Sequence, residues 1–157
     1  MTSGIEPARS RADRTRDARA RLAAPNGDVW VATASSTGDA YLVPLSYAWD
    51  GEHVVIAAQA TSITARNLHA SGRARLGFGP TRDVVLVDAE LSQTMAAGDA
   101  RAAGIGERYA AQADWDPRAE PDGYVFLLLR PSRIQAWREA NELAGRVVMR
   151  DGAWLDG

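Results

Sequence analysis

Residues 54–78 constrain the fold of this chain more than any other stretch, because they predict a strand, a helix and a second strand in immediate succession. Val54 to Ala58 is apolar and rich in β-branched residues, which is typical of a strand buried on both faces. Thr61 or Ser62 can cap the helix that follows, and Ala74 to Phe78 predicts the next strand. The free N–H groups at the start of such a helix favour an anion such as a phosphate.

Arg66 adds a cation to this predicted helix start. It lies about one turn inside the helix, from where its guanidinium can reach back toward the same anion with two donors. Ser62 and Arg66 therefore predict an anion site, while the alternative is an ordinary capped helix with a surface arginine. The pattern alone leaves both interpretations open.

The rest of the chain predicts short strands joined by tight turns. Thr37-Gly38-Asp39 joins two strands, and Asp50-Gly51 leads into a third. Pro131 is expected to end an apolar strand. The further strands predicted are Val84 to Ser92, Tyr124 to Leu129, Arg133 to Trp137, and a final hairpin of Val147 to Arg150 with Ala153 to Leu155 around Asp151-Gly152. This pattern favours a mainly β fold, a barrel with attached helices, over a doubly wound parallel sheet.

The succession of hairpin, Val-Pro-Leu-Ser strand, Asp-Gly turn, apolar strand and Ser-x-x-Ala-Arg-Asn-Leu helix resembles the flavin-binding split-barrel family. That family includes the pyridoxamine 5'-phosphate oxidases and the actinobacterial oxidoreductases that use FMN or the deazaflavin coenzyme F420. The resemblance is clearest from Val29 to Leu91 and returns at Arg133 to Trp137. It implies a split β-barrel of the pyridoxamine 5'-phosphate oxidase type that binds FMN or F420, acts on a small-molecule substrate and forms a homodimer.

A flavin or deazaflavin ring requires backbone polar groups beside an apolar floor. The backbone of residues 43–46 can offer such an edge, and Ala57 and Ala58 are small enough to let the ring approach. The resemblance places phosphate ligands at Ser62, Thr64 and Arg66. The full set of predicted cofactor-binding residues is Val43, Pro44, Leu45, Ser46, Ala57, Ala58, Ser62, Thr64, Arg66, Asn67 and Trp137. No catalytic residue is predicted, and for Trp137 core packing is the alternative to a pocket wall.

The chain departs from the vitamin B6 oxidases at two places. Those oxidases carry a basic pair where this chain has Ile63 and Thr64, and polar ring and substrate contacts where it has Val84 and Leu86. We therefore expect weaker phosphate binding and hydride transfer to a small conjugated, apolar substrate instead of oxidation of a phosphorylated amine. The Ala-Arg-Asn-Leu sequence slightly favours F420 over FMN.

A second hypothesis is a protein that sequesters a flavin, F420 or haem without turnover, because one fold can host both roles. Haem would require an axial ligand, for which His53 is the candidate. No metal site is predicted, since the chain has two His residues, no Cys and no His pair at helical i,i+4 spacing.

The first 24 residues alternate Arg with Asp at helical spacing, which predicts a solvated helix or arm before a cofactor-binding domain at 25–157. A nucleic-acid arm is the alternative, but a net charge of -2 and a pI near 5.7 argue against nucleic-acid binding. No apolar run reaches the roughly 20 residues of a membrane span, so we expect a soluble cytoplasmic protein without membrane contact.

Two further expectations concern packing. Asp99 to Ala113 predicts a helix with Ala102 and Tyr109 on its inner side, followed by an acidic loop from Asp114 to Asp122. The sequence does not indicate what this region, residues 98–122, does. Apolar residues available for a dimer interface are Trp49, Trp154, Leu155 and the run from Tyr124 to Leu129.

Overall fold

The computed structural model describes residues 4–120 and 123–155. The helices are α1 (Arg11–Ala23), α2 (Ile63–Ser71) and α3 (Ala103–Ala113). The strands are β1 (Asp28–Ala34), β2 (Ala40–Trp49), β3 (Val54–Gln59), β4 (Arg73–Phe78), β5 (Val84–Ala96), β6 (Tyr124–Trp137), β7 (Val147–Arg150) and β8 (Ala153–Trp154). Short 3-10 turns lie at Ala100–Ala102, Pro117–Ala119 and Ala140–Glu142.

Six antiparallel strands close into a barrel. The order around it is β1, β2, β3, β6, β5, β4 and back to β1, with β3 paired to β6 and β4 paired to β1. The strands β7 and β8 extend the sheet from β6. This closed antiparallel arrangement confirms the predicted split-barrel fold, and closure leaves the six barrel strands without a free sheet edge over most of their length.

The strand–helix–strand unit forms as predicted from β3, α2 and β4. Ser62, not Thr61, is the N-cap of α2, and its Oγ accepts a hydrogen bond from the Ala65 N–H at 3.2 Å. Gly72 ends the helix at φ 71°, a left-handed conformation in which a side chain would be strained. This conformation of Gly72 reverses the chain within one residue, so β4 begins at Arg73.

Pro131 does not end a strand, contrary to the prediction. Residues 124–137 form the single strand β6, which pairs with β3 through its first half and with β5 along most of its length. The pairing with β5 shifts register between Asp88 and Ala89 and again between Leu91 and Gln93. These bulges bend the strand around the barrel, and Pro131 is tolerated because it lies at one of them.

The helix α1 is solvated on one face only, whereas the charge spacing predicted a solvated helix. Ala18 and Leu22 are completely buried in the barrel core, and Arg14 is buried with its guanidinium donating to the Glu142 carbonyl at 2.8 Å. Among the local Arg–Asp pairs that this spacing suggests, Arg16 with Asp13 forms at 2.9 Å. Arg9 and Arg21 instead reach carboxylates that are distant in sequence, Glu142 at 2.8 Å and Asp83 at 3.3 Å, which charge spacing within a helix cannot reveal.

Two apolar cores lie on either side of β3 and β6. Leu127 and Leu129 point into the barrel, while Phe126 and Leu128 pack beneath α3. Ala102 and Tyr109 are fully buried in this second core, which confirms the inner side predicted for the helix.

The residues suggested for a dimer interface are largely used inside the subunit. The run Tyr124–Leu129 supplies both cores, and Trp49 and Trp154 pack against the barrel core. Residues 126–129 are thus buried, whereas Trp49, Trp154 and Leu155 keep part of their surface exposed, and their place in a dimer interface stays a prediction. In the described ranges, no helix is both long enough and apolar enough to span a bilayer.

Candidate functional site

The candidate site lies where β2 and β3 separate. Their ladder consists of three pairs, Tyr47 with Ile56, Ala48 with Val55 and Trp49 with Val54. Beyond it, β2 remains paired to β1 and β3 remains paired to β6, but residues 43–46 and 57–59 are not paired to each other. This split in the barrel wall exposes two strand edges to the same space.

A groove of about 610 Å³ occupies the split. Eight of the eleven predicted cofactor-binding residues line it together: Val43, Pro44, Leu45, Ser46, Ala57, Ala58, Ser62 and Thr64. Five lining residues were not predicted: Asp28, Tyr41, Gln59, Trp115 and Tyr124. The volume of the groove suits a small-molecule ligand. Its lining combines apolar side chains with a few polar groups.

The start of α2 forms one end of the groove. Ser62 caps the helix and Thr64, in its first turn, is nearly fully buried. The N–H groups and positive dipole end of this helix are the chemical setting for an anion. The described lining residues include no Lys or Arg, so any anion bound here depends mainly on hydroxyl and backbone donors.

Three predicted residues lie outside the groove. The Arg66 side chain is exposed on α2. Asn67 is buried and its Nδ2 donates to Thr33 Oγ1 at 3.1 Å, which ties α2 to β1. Trp137 lies at the end of β6, opposite Val84 of β5, and the Arg146 guanidinium lies 6.0 Å from its ring centre. The structure thus brings the helix cap, but not these three side chains, to the groove of its own chain.

The lining residues that were not predicted differ in how far the sequence could have indicated them. Tyr41, Val43 and Leu45 are two residues apart along β2 and therefore lie on the same face of the strand. This periodicity could have identified Tyr41 as a lining residue. Gln59 and Tyr124 are cross-strand partners, which only the β3–β6 pairing reveals. Trp115 has no local signal, because its place depends on how α3 packs against the barrel.

Tyr109 connects the second core to the groove. Its hydroxyl donates to the Ser46 carbonyl at 3.2 Å, and burial raises the pKa of this phenol. The phenol therefore stays protonated and fixes the backbone of a lining residue. The ionisable carboxylate among the described lining residues is Asp28, which gives the groove a negative charge near Ser46, its cross-strand partner.

The histidine suggested as a haem ligand lies elsewhere. His53 Nδ1 is 3.0 Å from Asp50 Oδ2, and His53 does not line the groove. Its Nε2 is buried without a hydrogen-bond partner among the described residues. Within residues 4–120 and 123–155, no group of three His, Asp or Glu side chains is arranged to hold a metal ion.

An apolar row crosses the outer face of the barrel next to the groove. Pro44 of β2 pairs with Trp30 of β1, Trp30 with Gly77 of β4, and Gly77 with Leu86 of β5. Trp30 is 51% exposed, an unusual value for so large an apolar side chain. Pro44 belongs both to this row and to the groove lining, so the two surfaces are continuous.

Comparisons with known proteins agree with this architecture. A sequence model of the family described as pyridoxamine 5'-phosphate oxidase matches residues 16–138. An F420 reductase structure shares 18% identity at a TM-score of 0.58, with 73% of this chain and 94% of that chain covered. A heme binding protein from Mycobacterium smegmatis shares 20% identity at a TM-score of 0.59, with 95% of this chain and 60% of that chain covered.

A third solved structure is a pyridoxamine 5'-phosphate oxidase-related, FMN binding protein from Nostoc punctiforme. It shares 11% identity at a TM-score of 0.53, with 80% of this chain and 78% of that chain covered. No curated protein matches the chain. At these identities the structures establish the fold alone. The family model spans more than half of the sequence, and the chain is therefore a member of the pyridoxamine 5'-phosphate oxidase family.

Proposed function

We propose that this chain binds FMN or F420 in the groove between β2 and β3 and transfers a hydride between that cofactor and a small conjugated substrate. The observation that carries the proposal is the end of the β2–β3 ladder at Tyr47 and Ile56, which opens a groove lined by eight residues predicted for this role. The relatives named F420 reductase and FMN binding protein support this choice of cofactors.

The donor set fits such a cofactor. The unpaired edge of residues 43–46 offers N–H and C=O groups to the polar rim of a tricyclic ring, while Ala57 and Ala58 leave room for the ring itself. Ser62 and Thr64 lie in the same groove at a helix start suited to a phosphate. FMN and F420 both combine a flat ring with a phosphate, so this arrangement does not choose between them.

The bound cofactor would supply the redox chemistry, and the chain's own residues would bind, orient and exclude water. Tyr109 holds the Ser46 carbonyl in place, so the strand edge is fixed before a ligand arrives. Ala57, Ala58 and Leu45 form an apolar floor that displaces water from the ring face. The groove thus positions a ring without a dedicated acid or base.

We further propose that the site is completed by a second copy of this chain. Val84 and Leu86, the positions expected to contact ring and substrate, do not line the groove of their own subunit. They lie on β5, and Leu86 belongs to the same outer row as Trp30. Pro44 belongs both to this row and to the groove lining. A second subunit bound on the row would therefore bring its own Val84 and Leu86 next to the groove of the first.

The central test is catalytic. The protein, loaded with reduced F420 or FMN, should reduce a neutral enone or quinone faster than the free reduced cofactor does, and should not turn over pyridoxamine 5'-phosphate. The apolar Val84 and Leu86 give the reason, since they offer no partner to a phosphorylated amine. Stopped-flow absorbance of the cofactor measures both reactions.

Each contrary result has a definite meaning. Tight cofactor binding without acceleration across a broad acceptor panel would favour the sequestration hypothesis. Oxidation of pyridoxamine 5'-phosphate would refute the inference drawn from Val84 and Leu86. A Soret band from the purified protein would identify haem as the ligand, although the described lining residues of the groove include no His.

A variant of Arg66 tests whether the start of α2 binds the cofactor phosphate. Replacing it with Ala should weaken cofactor binding by about 0.5 to 1 kcal/mol, less than a buried charge-assisted hydrogen bond contributes, because this side chain is exposed and acts on the phosphate from outside the groove lining. Calorimetric titration with FMN and F420 measures the change. The matched control is Arg11→Ala, an exposed arginine in α1, which should leave the affinity unchanged. Equal affinities for a folded Arg66→Ala variant and the wild type would remove Arg66 from the phosphate site.

A further inference from the structure

Residues 97–120, which follow β5, reach across the outside of the barrel to the groove. At its centre, Gln112 of α3 accepts a hydrogen bond from the Trp49 N–H at 2.7 Å through Oε1. Its Nε2 donates to the carbonyls of Leu22 and Ala24 at 2.9 and 3.1 Å. One side chain therefore joins α3 to the end of β2 and to the end of α1.

The chain turns sharply after this helix. Asp114 adopts a left-handed conformation at φ 54°, and the next residue, Trp115, lies in the groove wall. The Trp115 ring meets Tyr124 edge to face at 5.2 Å between ring centres and Tyr109 at 6.1 Å. Both partners belong to the second core or the barrel, so the indole is supported from two sides.

The loop that carries Trp115 is held by its own ion pair. Asp116 accepts from the Arg118 backbone N–H at 3.0 Å and from the Arg118 guanidinium at 2.9 Å through each carboxylate oxygen. The Arg118 side chain lies over Gly106 of α3, where an added Cβ would come within 2.6 Å of it. Trp115 Nε1 donates to Glu120 Oε1 at 3.3 Å. These contacts hold the indole in one orientation instead of leaving it on a free loop.

We propose that Trp115 is a specificity-determining residue that stacks the substrate and, with Asp28, selects flat acceptors that are uncharged or cationic over anionic ones. This inference rests on the proposed function and adds to it the class of substrate. Trp115 packs against Tyr109, whose hydroxyl donates to the Ser46 carbonyl, and Asp28 is the cross-strand partner of Ser46. The indole, whose face carries negative partial charge, and the Asp28 carboxylate therefore belong to the same part of the groove wall. The α2 end with Ser62 and Thr64 is left for the anionic group of the cofactor.

A pair of quinones tests the proposal. The acceptors are a neutral naphthoquinone and its sulfonated, anionic analogue, each offered to the protein loaded with reduced cofactor. Trp115→Ala should raise the KM for the neutral quinone about tenfold with kcat little changed, and Trp115→Phe should recover most of the loss. Asp28→Asn should raise kcat/KM for the sulfonated quinone about tenfold relative to the neutral one.

A binding measurement separates this inference from the proposed function. With oxidised cofactor bound, no hydride can be transferred, and calorimetry then gives the affinity of the neutral quinone for each variant directly. Trp115→Ala should lose about tenfold in this affinity, while its affinity for the cofactor falls much less, because residues 43–46 and the start of α2 remain in place. Unchanged quinone affinity in Trp115→Ala, or in Trp115→Leu if the alanine variant does not fold, overturns the role of Trp115. Failure of the wild type to bind either cofactor would instead refute the proposed function.

Discussion

Replacement of Glu142 by Gln should lower the free energy of unfolding by about 3 kcal/mol, because this carboxylate is the buried centre of an ion-pair network. Its side chain is 3% exposed. Oε1 accepts from the Arg9 backbone N–H and Nε at 2.9 and 3.0 Å, and Oε2 accepts from Arg9 Nη2 and the Arg138 N–H at 2.8 and 2.9 Å. Urea unfolding at neutral pH measures the loss.

The same carboxylate makes stability depend on acid pH. Hydrogen bonds from the Arg9 side chain, above all, lower the pKa of Glu142 from 4.5 to about 2. A carboxyl whose pKa is lower in the folded state stabilises the fold above its unfolded pKa and loses that contribution as the pH falls through its folded pKa. The wild type should therefore lose roughly 3 kcal/mol between pH 5 and pH 2, and Glu142→Gln should lack this component.

An exposed ion pair serves as the control. Glu52 lies 2.9 Å from Arg130 with its side chain 62% exposed, so Glu52→Gln should change the free energy of unfolding by less than about 1 kcal/mol. Equal stabilities of Glu142→Gln and Glu52→Gln, or an unaltered acid profile in Glu142→Gln, would show that the Arg9 contacts do not stabilise the fold.

Replacement of Trp30 by Ser should convert a dimer into a monomer and weaken cofactor binding more than tenfold. Trp30 is the largest member of the outer row that runs from Pro44 to Leu86, and its loss removes the central aromatic anchor of the proposed interface. Sedimentation velocity at micromolar concentration measures assembly, and titration with FMN and F420 measures binding in the same samples.

Leu143→Ser is the matched control for this variant. Leu143 is 44% exposed against 51% for Trp30, but it follows the 3-10 turn at residues 140–142 and is not part of the outer row. It should leave both assembly and binding unchanged. A monomeric wild type would contradict the proposed assembly, and a dimeric Trp30→Ser variant would place the interface on another face.

The strand edge and the helix cap of the candidate site were predictable because they depend on local chemistry. Ser62 is a cap by virtue of its hydroxyl and the sequence after it, and an apolar run such as Val54 to Ala58 has few alternatives to a buried strand. Residues 43–46 follow from the same strand pattern. Their roles toward a cofactor stay predictions that the titrations above test.

Other features depended on contacts between residues far apart in sequence. Pro131 reads locally as a strand end, yet the bulges opposite β5 let β6 continue through it. Arg9 falls at helical spacing from Asp13, yet it pairs with Glu142, which is 133 residues away. In both cases a local rule failed because a tertiary partner offered a more favourable arrangement.

Most strands, their turns and the capped helix, and with them the family, could be predicted from the amino-acid sequence, since propensity, capping and apolar periodicity act within a few residues. Three features depend on tertiary contacts: β2 and β3 separate beyond Tyr47 and Ile56, Trp115 lines the resulting groove, and Val84 and Leu86 lie outside it. These features arise from barrel closure, which fixes every strand's neighbours at once, and closure is a property of the whole sheet that no single segment encodes.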